Sequence, residues 1–82
     1  MQLDTYSQAT GGSFTWNPGY SLKVAALGGE VVIAANAEGL KSLARHLLTM
    51  AQADVPDGYH IHFEPELELE DQSLALVLEK VD

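Results

Sequence analysis

The stretch NAEGLKSLARHLLTMAQADVPDG, residues 36–58, decides how this chain is read. Asn36 can cap a helix, because its side-chain oxygen can accept from a backbone N–H of the first turn. Glu38 follows near the positive end of the helix dipole. Leu40, Leu43, Ala44, Leu47, Leu48 and Ala51 then recur at helical spacing and form one apolar stripe. That stripe predicts a helix of about four to five turns laid over a sheet. Lys41, Arg45, Thr49 and Gln52 fall on the other side. Pro56 cannot continue the helix, and Asp57-Gly58 makes a turn.

Upstream, SLKVAALGGEVVIAA (21–35) reads as a hairpin, with two apolar runs flanking Gly28-Gly29. Val31 to Ala35 is apolar on both faces, which predicts an interior strand. Further upstream, MQLDTYS suggests a first strand, QATGGS a turn, FTW a short strand and NPGY a turn. Downstream, YHIHFE (59–64) alternates: Tyr59, Ile61 and Phe63 share one face, His60, His62 and Glu64 the other. PELELEDQ reads as a connector or edge segment and SLALVLEKV as a final strand. Strands, one helix, then strands predict a single α+β domain over residues 1–82. Its expected architecture is a two-layer sandwich, one main helix on a mostly antiparallel sheet of about four to six strands. The sheet face away from the helix, carrying Val, Ala, His60 and His62, is a candidate contact surface.

The chain has 82 residues, with 12 acidic against 4 basic and a net charge of −8. Phosphate backbones and anionic lipid surfaces are bound through clustered Lys and Arg. Lys23, Lys41, Arg45 and Lys80 are scattered, so neither nucleic acid nor membrane is an expected partner. No apolar run reaches the ~20 residues of a membrane-spanning helix. The first twelve residues hold no basic residue and no long apolar run, and so read as no signal peptide. There is no cysteine, which removes disulfides and thiolate chemistry and points to the cytoplasm. An acidic small protein suits a basic protein partner, while acidic charge also serves solubility alone.

The chemistry-bearing residues gather in DGYHIHFEPELELED, residues 57–71. On one strand face, His60 and His62 have Cβ atoms about 6–7 Å apart, so both imidazoles can reach one metal ion, with Glu64 as a third ligand. Any i, i+2 pair on a strand has that geometry, so the pair reads equally as a polar row or as part of a protein contact. His46, the remaining histidine, is expected at the flank of the helix stripe. If the next segment is extended, Glu64, Glu66, Glu68 and Glu70 line one side and Pro65, Leu67 and Leu69 the other. Four like charges so close repel unless solvent screens them or a basic partner covers them. No G-x-S-x-G turn, phosphate-binding glycine loop or Walker lysine is present, so no catalytic residue, enzyme activity or cofactor is expected. Trp16 and Tyr20 bracket the NPGY turn, as core packing or as a contact pair, with Tyr6 nearby in sequence.

Residues 29–81 resemble immunity protein family thirty-two of bacterial polymorphic-toxin systems. The matching features are Asn36, Glu38-Gly39-Leu40, Ser42-Leu43-Ala44, His46-Leu47-Leu48 and the block Val55-Pro56-Asp57-Gly58-Tyr59-His60. The ending LEDQSLALVLEKV, an acidic connector before an apolar strand, is similar in style. The resemblance implies a protein that binds and neutralises a cognate toxin, with structural roles for Pro56 and Gly58 and no catalytic residues. Charge and resemblance together lead to a cytoplasmic protein-binding module. Its candidate contact residues for a basic toxin are Glu64, Glu66, Glu68, Glu70 and Asp71, with His60 and His62 beside them. Two other readings stay open: a metal-binding or catalytic domain on His60, His62 and Glu64, and a homodimer through the open sheet face.

Overall fold

The computed structural model describes residues 14–82. The strand and turn expected in residues 1–13, and Tyr6 with them, lie outside the described residues. The order is β1 (Leu22–Leu27), β2 (Glu30–Ala35), α1 (Ala37–Met50), β3 (His60–Phe63) and β4 (Leu76–Glu79). The α+β class holds. The single sheet of about four to six strands does not: the described strands form two separate antiparallel ribbons, β1–β2 and β3–β4. The connector keeps them apart by running along the outer edge of β1. Glu70 N–H donates to Leu22 O at 3.0 Å and Leu74 N–H to Val24 O at 2.8 Å. Ser73 Oγ accepts from Val24 N–H at 2.7 Å, so that edge is already paired. Residues 14–16, expected as a short strand, have no regular structure.

The β1–β2 ribbon closes through Gly28-Gly29, with φ of 56° and 83°, the left-handed pair that a two-residue turn of this hand requires. β2 is not interior. Val31, Val32 and Ile33 are all exposed, because α1 packs only near the Ala35 end.

Asn36 is the cap the sequence predicts. Its Oδ1 accepts from Gly39 N–H and Ser21 N–H, each at 2.9 Å, and its Nδ2 donates to Gly19 O. The helix is rotated from its expected orientation. Its buried face is Gly39, Ser42, Leu43, His46, Thr49 and Met50, while Leu40, Leu47 and Leu48 are about half exposed. The cause is the segment before β1, which docks on the polar side of the helix. Asn17 N–H donates to Ser42 Oγ at 2.8 Å, Asn17 Nδ2 to Glu38 Oε1 at 3.0 Å, and Arg45 Nη2 to Thr15 O at 2.7 Å. Ser42 and Thr49 satisfy their own hydroxyls by donating to the carbonyls four residues back, which lets them be buried.

The core is Leu22, Val24, Leu43, Phe63 and Leu69, with Phe14, Trp16, Ala35, Ile61, Leu76 and Leu78 around it. His46 is fully buried, not at the helix flank. Its ring lies 4.6 Å from Trp16, 5.4 Å from Phe14 and 5.6 Å from Phe63, centroid to centroid. Three aromatic rings around one imidazole make this a packed cluster, with offset and edge contacts of the favourable kind.

Candidate functional site

β3 places His60 and His62 on the outward face, while Ile61 is partly buried and Phe63 fully buried on the inward one. The strict alternation of the sequence is therefore real. The two imidazoles lie edge to face, 5.2 Å between centroids, and His60 Nδ1 is 3.0 Å from Gly58 O. Among the described residues no three His, Asp or Glu side chains converge on one point, so Glu64 does not complete a three-ligand set with the pair.

The acidic segment is not an extended row. Glu66 has φ of 67° and Gln72 φ of 65°, both left-handed. Left-handed backbone at a non-glycine residue costs about 1–2 kcal/mol and is held only by its surroundings. Here Glu64 O accepts from Leu67 N–H and Leu69 N–H, and Glu66 N–H donates to Leu69 O at 2.9 Å. The chain thus curls around Glu64 in place of running straight. The curl breaks the expected two-sided division. Leu69 is buried as the anchor, whereas Leu67 points to solvent with 75% of its surface exposed.

Glu68 takes a structural part. Its Oε1 accepts from Glu64 N–H at 2.9 Å, and its carbonyl accepts from the Tyr20 hydroxyl at 2.8 Å. Glu64, Glu66, Glu70 and Asp71 are exposed, and none has an ion pair among the described residues. The pair that does form, Lys41 with Glu38 at 3.4 Å, sits on the helix. Glu66, Glu70 and Asp71 surround an open depression of ≈ 490 Å³, with Leu67, Leu69 and Lys23 completing its lining. The structure thus gathers three of the five acidic candidates around the depression and ties Glu68 into the curl by hydrogen bonds. Lys23 was not foreseen at this place. It lies on β1, far away in sequence, and only the connector's path along that strand brings it here.

The tether has an electrostatic signature. Burial, then the negative charges of Glu68 and Glu70, raise the Tyr20 hydroxyl above its ordinary pKa of 10.0. A group whose folded pKa is raised contributes stability that is complete below its unfolded value and is lost as pH rises through the folded one. Stability should therefore fall on the alkaline side, starting near the ordinary value. In an ultraviolet titration, Tyr20 should ionise later than a tyrosine of the unfolded chain, and Tyr20→Phe should abolish that late component.

The sequence profile of the immunity protein 32 family matches residues 30–81, which run from β2 through α1, the acidic connector and β4. The chain belongs to the immunity protein 32 family. The match takes in every acidic residue around the depression and the outward histidine pair. It leaves out β1 and the Asn17–Tyr20 turn, which supply Lys23 and the Tyr20 tether. No curated protein and no solved structure gave a significant match. An immunity protein 32 member has the broad role of neutralising a toxin. Among the described residues no helix is long and apolar enough to cross a membrane.

Proposed function

We propose that this protein neutralises a cognate toxin by docking the curled acidic connector onto a basic surface of it, covering an active or substrate-binding cleft. The observation that carries the reading is the convergence of Glu66, Glu70 and Asp71 around an open depression lined also by Leu67, Leu69 and Lys23, with no ion pair to any of the three carboxylates among the described residues. Such a depression suits an incoming Arg or Lys. The aliphatic stem would lie on Leu67 and Leu69, and the cationic head would meet carboxylates. Glu64 extends the negative surface toward His60 and His62, which would meet the toxin at the rim. A net charge of −8 adds a long-range field that speeds encounter with a cationic partner. The left-handed Glu66 gives a curl made before binding, so little ordering is left to do in the complex. Inhibition of this kind is occlusion and needs no catalytic group, metal or cofactor. Its place is the cytoplasm, where a chain without disulfides is at home.

The test is stopped-flow association with the cognate toxin domain. Reversing Glu66 and Glu70 to Lys should slow association on the order of 10–100-fold at low salt, flatten its salt dependence, and leave the melting temperature nearly unchanged. Glu68→Lys is the wrong probe, since it would also loosen the curl through the bond to Glu64. Association rates untouched by the double reversal would sink the docking role.

A further inference from the structure

The outer edge of β2 is built to pair, and among the described residues nothing bonds to it. The two-residue turn makes Leu27 and Glu30 a hydrogen-bonded pair, so bonding alternates along the ladder from there. Val31, Ile33 and Ala35 therefore send their N–H and C=O groups outward. β1 supports the same alternation: Leu22 and Val24, the partners of Ala35 and Ile33, turn their backbone groups to the connector. One edge of the ribbon is thus sealed, and the other carries no partner among the described residues. Proteins protect a bare edge with Lys, Pro, a bulge or a covering segment. β2, EVVIAA, has none of these among the described residues. Its register is unbroken, it holds no Lys or Pro, and Val31 is 71% exposed. A two-stranded ribbon is also marginal by itself, and three or more strands are needed for robust stability.

We propose that β2 pairs antiparallel with β2 of a second copy about a two-fold axis at Ile33, giving a continuous four-stranded sheet. The strand is self-complementary in that register. Ile33 meets the partner's Ile33 and Val31 meets the partner's Ala35, so all three outward residues find outward residues. Shifting the axis by one residue either way leaves an outward group opposite the turn or the helix. Charge agrees. Glu30, the strand's one charged residue, falls opposite the partner's Asn36, at the positive end of the partner's helix. The two Glu30 residues then sit six positions apart along the sheet, about 20 Å at the strand rise. The sheet order becomes connector, β1, β2, then the second copy in reverse. Both acidic connectors lie at the far ends, so self-repulsion is smallest and both depressions stay open. The dimer is independent of the toxin-docking role and uses none of its residues.

Sedimentation equilibrium at tens of micromolar tests it. The wild-type chain should have twice the 8.8 kDa of one chain, and Val31→Lys should return it to one chain with an unchanged circular dichroism spectrum. Because the protein has no cysteine, single cysteines report the register cleanly. Paired Cα atoms about 5.5 Å apart are within disulfide reach. Ile33→Cys should oxidise to a linked dimer, Val31→Cys should not, and a mixture of Val31→Cys with Ala35→Cys should. A wild-type mass of one chain, a dimer that survives Val31→Lys, or equal cross-linking of Val31→Cys and Ile33→Cys would each overturn the proposal.

Discussion

Phe63→Ala is expected to lower stability by about 3–5 kcal/mol, the usual cost of emptying a buried aromatic site. Phe63 is the point where the two ribbons and the helix meet. It is buried, its ring lies 5.2 Å from Trp16 and 5.6 Å from His46, and it belongs to the cluster with Leu22, Val24, Leu43 and Leu69. A domain of this length holds roughly 4–12 kcal/mol in all, and each kcal/mol is worth about 4–8 °C of melting temperature. The variant should therefore melt about 12–40 °C lower or be unfolded at room temperature. Leu47→Ala and Leu48→Ala are the contrast. Each remains about half exposed, so each should cost under about 1 kcal/mol. Thermal melts of the three variants check the orientation of α1. If the leucine stripe formed the core, Leu47→Ala and Leu48→Ala would each cost about 2–5 kcal/mol, comparable to Phe63→Ala.

Gly39→Ala should also destabilise, against the helix-propensity rule. In an exposed helix interior the change gains about 1 kcal/mol. Here a Cβ on Gly39 would overlap Ser21 O and approach Ala35 Cβ at 3.1 Å. Ser21 O cannot easily yield. It is backbone, it accepts from Asn36 N–H, and Ser21 N–H is itself held by the cap. Separating helix and hairpin enough to admit a methyl should cost about 1–3 kcal/mol net, the range for overpacking. The accompanying loss is the Asn36 cap, so chemical denaturation should show a lower midpoint together with reduced helicity. A midpoint raised by the substitution would mean that α1 does not approach the hairpin this closely.

How much of this could be read beforehand differs by element. The cap at Asn36, the Gly28-Gly29 turn and the alternation of YHIHFE were readable because each rests on neighbours in sequence, whereas the helix stops at Met50, short of the Pro56 that the sequence offers as its end. The rotation of α1 was not. Leucines at helical spacing mark an apolar stripe, but Asn17, Thr15 and Trp16 decide which side is covered, and these partners lie 25–30 positions away for Ser42 and Arg45. The same distance hid His46, whose aromatic neighbours come from two other segments. For the site, the residue types in PELELED were readable and their arrangement was not. A left-handed glutamate has no sequence signal, and the curl it starts turns a straight row into a depression.

The core residues Leu22 and Val24 come from a strand that precedes the family-matched region, and so do the Asn17 and Tyr20 clasps. The unit that is inherited as recognisable sequence and the unit that folds are therefore different lengths of chain. A graft that moved residues 30–81 alone into another setting would carry the acidic connector but leave behind half of what shapes it. Any transfer of binding specificity between such proteins has to move β1 and its preceding turn as well.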